Sequence, residues 1–234
     1  MLTMETKRIA VIGIGDFGGA IARSLTRKGA EVLAIDSHIA TIESIADDVA
    51  FCVTLDATDR KALKAQEIDK FDAVVVAIGQ DFEQRLLVVA QCMELGVKRI
   101  MARAAGKNQR LILEKLGVSE ILMPEEEVGS VVAERLLLPT LVSYLQLPDN
   151  YRIAEVLTPP KVVGRTIGDL DMRDRYRLSL VTLKMEDTKN SIKGQKLKYH
   201  VVGVPESKTV ILETDHLVLF GTQADIQRFI DINT

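Results

Sequence analysis

Residues 8–36 read RIAVIGIGDFGGAIARSLTRKGAEVLAID, and the succession of patterns within them sets the fold. An apolar run ends in Gly13-Ile14-Gly15-Asp16-Phe17-Gly18. A segment with apolar residues at helical spacing follows, Gly29 closes it, and a second apolar run ends at Asp36. Strand, glycine turn, helix and strand in that order is the pattern of two parallel strands joined by a crossover helix.

The same alternation continues to about residue 123. Strands are expected at 8–13, 31–36, 50–54, 73–78, 99–102 and 120–123, and helices at 18–28, 39–46, 60–66, 82–95 and 107–116. Gly29, Gly96 and Gly117 stand where helices end and suit left-handed caps, while Asp59, Asp81 and Asn108 stand near helix starts, where capping alone accounts for them. Six such strands predict an α/β domain with a Rossmann-like doubly wound parallel sheet over residues 1–124.

In that fold each glycine of the turn has a separate task. Gly13 permits the tight turn, Gly15 admits a pyrophosphate to the backbone, and Gly18 lets the helix pack on the strand. The helix amides then face an anion, with Asp16 and Phe17 in the same turn. Asp36, followed by Ser37, reads either as a strand-end turn residue or as an acceptor for both ribose hydroxyls of an adenosine. The glycine turn upstream favours the ribose, and an acid there repels a 2′-phosphate. Asp56, Ala57 and Thr58 after the third strand, Ile78 and Gly79 after the fourth, and Arg103 after the fifth reach the same carboxyl edge. There Arg103 could neutralise phosphates and the Asp56 or Ala57 amides could edge the adenine, with a solvated arginine and a loop cap as the plain alternatives for Arg103 and Asp56.

Residues 125–150 are expected to form a helical connector, one helix at 125–138 and another through Leu147 after Pro139. Val128, Val131, Val132, Leu136, Leu137 and Leu141 exceed what one helix face buries, which predicts a dimer or larger assembly, packing against the second domain, or both. Residues 151–234 predict a smaller α+β domain with strands at 152–157, 178–185, 196–202 and 216–220 and helices near 167–174 and 223–230.

Composition narrows the function. The 234 residues carry a net charge of −3, no tryptophan and 4% aromatics, which argues against a nucleic-acid or anionic-membrane surface. No apolar run reaches the ~20 residues of a membrane span, and the N-terminus lacks a signal-peptide core, so a cytoplasmic protein is expected. Cys52 and Cys92 have no metal-ligand spacing and read as packed thiols. His38, His200 and His216 are scattered, with no proton-transfer group placed for hydride chemistry. A receptor is therefore favoured over the alternative, an NAD-dependent oxidoreductase with a small C-terminal domain.

The ordered series VIGIGDFGGAIARSLTRKGAEVLAID, LDATD, DAVVVAIG, VKRIMARA and LGVSEILMPEEEVG resembles the RCK domain of bacterial Ktr/Trk potassium-uptake regulatory subunits. VVGRTIGDLDMRDRYRLSLVTLK and TDHLVLFGTQADIQRF resemble its C-terminal subdomain. The resemblance implies a cytoplasmic regulatory subunit, peripheral to the membrane, that binds ADP, ATP or NAD(H) at the glycine turn. It also implies assembly of dimers into an octameric ring on a potassium channel subunit, with nucleotide shifting the ring between states. A free-standing sensor is the third possibility, separated from this one by a channel gene alongside.

Glu125 matches the family position at which an acid helps bind Mg²⁺ or another cation. Glu125, Glu126 and Glu127 read equally as acids favoured at a helix N-terminus. Some members bind cyclic di-AMP between C-terminal subdomains, and residues 163–183 correspond to that region. One departure stands out: many Ktr-type members carry arginine where this chain has Asp16. That implies a bound metal, a ligand with fewer phosphates, or a side chain pointing away.

Overall fold

A computed structural model describes residues 6–186 and 199–234. The chain divides into two compact units, Met1–Val128 and Gly129–Thr234.

The first unit runs β1 (Arg8–Ile12), α1 (Asp16–Arg27), β2 (Glu31–Asp36), α2 (Ile39–Glu43), β3 (Phe51–Thr54), α3 (Arg60–Ala65), β4 (Ala73–Val76), α4 (Phe82–Glu94), β5 (Ile100–Arg103), α5 (Lys107–Leu116) and β6 (Glu120–Leu122). All six strands pair in parallel in the order β3-β2-β1-β4-β5-β6. The alternation of side chains sends Ala10, Ile12, Ile35, Val74 and Val76 to one core with Leu63, Val88 and Leu113 of α3, α4 and α5. Val11, Val32, Ala34 and Val75 enter a second core with Ala22 and Ile42 of α1 and α2. Both faces are covered, which is why the central strands are apolar throughout. The chain leaves β1 toward one face and β4 toward the other, so a crevice opens between their carboxyl ends. Cys92 is wholly buried on α4, and burial pushes its thiol up to about 12; Cys52 is half-buried and also free. Asp59 and Asp81 cap α3 and α4, accepting from the amides of Lys61 and Gln84 at 2.8 and 2.9 Å.

The helix α6 (Pro124–Leu137) contains the division between the units, and none of its residues is buried. Val128, Val132, Leu136 and Leu137 are exposed, the last two by 77% and 79%. The second helix expected through Leu147 does not form. Leu141–Gln146 is instead strand β7, paired antiparallel with β8 (Tyr151–Leu157) across a turn in which Asp149 and Asn150 adopt φ of 57° and 62°. Leu141 thereby enters the second core, and β8 gains a partner for backbone groups that a helix would have left unpaired.

The second unit continues through two one-turn helices, α7 (Ile167–Leu170) and α8 (Met172–Tyr176), where one helix was expected; Asp171, at φ 47°, breaks it. Then come β9 (Ser179–Glu186), β10 (Tyr199–Val201), β11 (His216–Thr222) and α9 (Gln223–Asn233). The sheet order is β10-β9-β11-β8-β7. Part of the expected strand at 196–202 lies outside the described residues. Ala154, Val156, Leu183, Leu217 and Leu219 pack with Phe229 and Ile226 of α9. On the opposite sheet face Glu155 accepts hydrogen bonds from Ser143 and Lys184 and pairs with His216 Nδ1 at 2.7 Å. His216 is thus held in a satisfied polar cluster.

Candidate nucleotide-binding cleft

At the crevice between the ends of β1 and β4 lies a cleft of about 500 Å³. The three glycines of the turn are used in three ways. Gly13 has φ 90°, and a Cβ there would stand 2.7 Å from the Ile78 amide nitrogen, so the β1 turn passes hard against the end of β4. A Cβ on Gly18 would lie 1.9 Å from the Gly13 carbonyl oxygen, so α1 is seated directly on the turn. A Cβ on Gly15 would meet nothing within 4 Å. Gly15 lines the cleft, and the room its missing side chain leaves is what a phosphate needs to reach the amides at the start of α1.

Asp36 closes β2 on the same side. Its Oδ2 accepts from the Ile14 amide at 2.8 Å, and its Oδ1 from the His38 amide at 2.9 Å, with the His38 ring Nδ1 at 3.1 Å. Burial pushes this carboxyl up, but the Ile14 and His38 amides and the His38 ring together outweigh it and hold it below the usual aspartate range. A carboxylate offers roughly four lone-pair sites, and three are engaged. A ribose diol needs two, so it has to displace the His38 ring, which at 80% exposure is free to swing out.

Most of the residues expected from sequence converge here. Gly13, Gly15, Asp16, Phe17, Asp36, Ser37, Ala57, Ile78, Gly79 and Arg103 line the cleft. Gly18 lies beneath it as packing. The Asp56 side chain is a local loop cap: its Oδ1 accepts from the Thr58 amide at 2.9 Å and the Thr58 hydroxyl at 2.7 Å, which lowers its pKa, and neither residue lines the cleft. The sequence reading missed His38, Leu55 and Gln84, which also line it. The mark of Gln84 was its place in the first turn of α4, whose N-terminus opens onto the cleft with Gln80 and Asp81.

Arg103 stands at the end of β5 with its guanidinium 5.5 Å from the centre of the Phe17 ring and paired to Glu125. The Glu125 backbone amide and then Arg103 hold this carboxylate below its ordinary range. Glu125 lines a smaller hollow with Ala104, Lys107 and Glu126 rather than the cleft. Among the described residues no group of three or more acidic, histidine or cysteine side chains converges as a cation site.

Behind the strand ends lies Arg85 of α4, wholly buried. It donates to the carbonyls of Ile78 (2.6 Å), Gly79 (2.8 Å) and Arg103 (2.9 Å) and to Gln109 Oε1 (2.9 Å), which also accepts from the Ala105 amide at 2.8 Å.

A doubly wound parallel sheet with a glycine-turn cleft at its switch point, followed by a small antiparallel unit, defines the class: a Rossmann-like domain with an α+β appendage. The TrkA-N domain model matches residues 9–124. The chain is 31% identical over 223 residues to the Ktr system potassium uptake protein C of Bacillus subtilis (strain 168), covering 95% of this chain and 96% of that protein. It is 31% identical to protein A of the same strain, over 97% and 96% of the two chains. With protein A of Vibrio alginolyticus it shares 27% over 93% of each. The chain belongs to this family of TrkA-N-domain Ktr potassium uptake proteins. Among solved structures, the GsuK RCK domain superposes with a TM-score of 0.63 at 17% identity, over 100% of this chain and 49% of that one. The GsuK channel bound to NAD gives 0.64 at 18%, over 100% and 40%. At these identities the likeness is one of fold. Among the described residues no helix is long and apolar enough to cross a membrane.

Proposed function

We propose that this chain is the cytoplasmic regulatory subunit of a potassium uptake system, and that an adenine nucleotide in the β1–β4 cleft sets its state. The observation that carries this reading is the open room over Gly15 beside Asp36, in a chain matched end to end by Ktr proteins. Asp36 takes the ribose hydroxyls, the first amides of α1 and Arg103 take the phosphates, and Ile78 and Gly79 form the opposing wall. NAD bound to the GsuK channel supports a dinucleotide as one occupant.

Charge narrows the ligand further. Asp16, Asp36 and Asp81 line the cleft against one arginine that Glu125 already neutralises. Each added phosphate charge is therefore repelled unless a cation accompanies it. NADH and ADP fit better than metal-free ATP. A cation held by Glu125 would have to take that carboxylate from Arg103, which would free Arg103 for a phosphate.

In this reading the protein does its work by differential binding, the nucleotide favouring one arrangement of a homo-oligomeric ring over another and so gating the membrane channel. The bare apolar face of α6 supports such an assembly. The test is a thermal-shift and calorimetric series with adenosine, ADP, ATP and NADH, with and without Mg²⁺, joined to potassium uptake in cells carrying the channel subunit. A ligand at a hundred times its Kd adds about 2.7 kcal/mol of stability. Absence of any shift overturns the nucleotide reading, and catalytic consumption of NADH replaces the receptor with an oxidoreductase.

A further inference from the structure

Arg85 is a wholly buried cation whose hydrogen-bond partners, three carbonyls and one amide oxygen, are all neutral. The charged groups that act on it are Arg103, of the same sign, and Glu125 and Asp81, of opposite sign, neither of which is hydrogen-bonded to it. Glu125 is already taken by Arg103. Of the two guanidiniums at the ends of β4 and β5, Arg103 has a directly paired carboxylate and Arg85 has none among the described residues.

Fastening carbonyls does not call for a charge, because a neutral donor does so without the desolvation penalty of a cation. Retaining a cation there is favourable if a negative group comes to rest nearby, and the residues that Arg85 holds, Ile78, Gly79 and Arg103, are cleft walls. Shielded from direct solvent contact, its charge is screened from the cleft less than that of an exposed arginine. The Arg103 carbonyl bond also fixes the backbone from which the Arg103 side chain springs.

We propose that Arg85 is a positioning residue for anion binding: it sets the Ile78–Gly79 wall and Arg103, and its buried charge draws the ligand's phosphates into the cleft. The inference rests on the nucleotide reading above and adds to it a residue that does not line the cleft.

The test compares ADP with adenosine, which lacks the charge, by calorimetry on the full chain and on its Arg85→Gln and Arg85→Lys variants. Losing a charge-assisted contribution predicts about a tenfold or greater fall in ADP affinity for Arg85→Gln. Adenosine affinity should change by less than about threefold, and Arg85→Lys, which keeps the charge but loses the guanidinium fork, should weaken ADP binding less than Arg85→Gln does. Equal losses for ADP and adenosine, or no loss, would make Arg85 a structural rivet and overturn the proposal. If Arg85→Gln does not melt cooperatively, Arg85→Lys decides alone: a loss of ADP affinity beyond that of adenosine upholds the role, and equal losses, or none, overturn it. Wild-type protein that binds neither ligand overturns the nucleotide reading and this inference together. Wild-type binding with unaltered Arg85→Gln affinity overturns this inference only.

Discussion

Replacing Gly15 by valine separates folding from ligand binding, because of how the three glycines of the turn are placed. Gly15 sits at φ −70° and ψ −168°, extended backbone open to any residue, and its new Cβ would meet nothing within 4 Å. The cost to stability is that of a poorer helix cap, no more than about 1 kcal/mol, which in a chain of this size lowers Tm by roughly 2–4 °C. The valine methyls, however, fill the space through which a phosphate reaches the α1 amides. Losing one charge-assisted hydrogen bond costs about 1.5–3 kcal/mol, so ADP and NADH affinity should fall roughly ten- to hundredfold. Gly18→Ala supplies the contrast: its Cβ would lie 1.9 Å from the Gly13 carbonyl oxygen, so α1 must shift and the melting temperature itself falls. Differential scanning fluorimetry without ligand, then calorimetry with ADP, measures both quantities. A Gly15→Val protein that melts and binds ADP like the wild type would refute phosphate binding at this turn.

Other outcomes follow from the same geometry. Asp36→Asn should weaken every adenosine ligand, by about tenfold in calorimetry. It should also remove a pH dependence of stability, since the Asp36 pKa is lower folded than unfolded. That stabilisation is complete above about pH 4 and lost as the pH falls through the folded value, so acid melts of the two proteins should converge at low pH. Asp16→Arg should raise affinity for metal-free ATP more than for ADP, by up to about fivefold, and Mg²⁺ should narrow the wild-type gap; equal gains for both nucleotides would show that residue 16 does not face the terminal phosphate. Leu136→Lys with Leu137→Lys should lower the mass seen by light scattering without unfolding the chain, because both side chains are more than three-quarters exposed. Unchanged mass would remove α6 from the assembly surface.

Much of the first unit was legible because its signals are local. Apolar runs of strand length, helical spacing between them and glycines at helix ends each report on neighbouring residues, and six repeats of one unit leave a doubly wound sheet as the economical arrangement. The glycine turn and Asp36 could be assigned to one edge because a parallel strand always delivers its carboxyl end there. The second unit was harder to read. Leu141–Gln146 has leucines that suit a helix, and only the presence of β8 alongside, with Asp149 and Asn150 folding back between them, makes it a strand. Asp171 breaks one expected helix into two for a backbone reason that no side-chain pattern displays.

For the cleft, sequence alone determined which loops meet; tertiary structure decided what each side chain does when they meet. The Asp56 carboxylate could be read as cap or ligand group, and its bonds to Thr58 make it a cap on its own loop. Arg103 could have been solvated, and Glu125 across from it settles otherwise. Arg85 left a trace in the sequence, a charge on the same α4 stripe as Val88, Val89 and Cys92. What that charge was for depended on carbonyls from two strand ends and an amide oxygen from another helix, and hydrogen bonds between segments far apart in the chain exist only once the chain has folded.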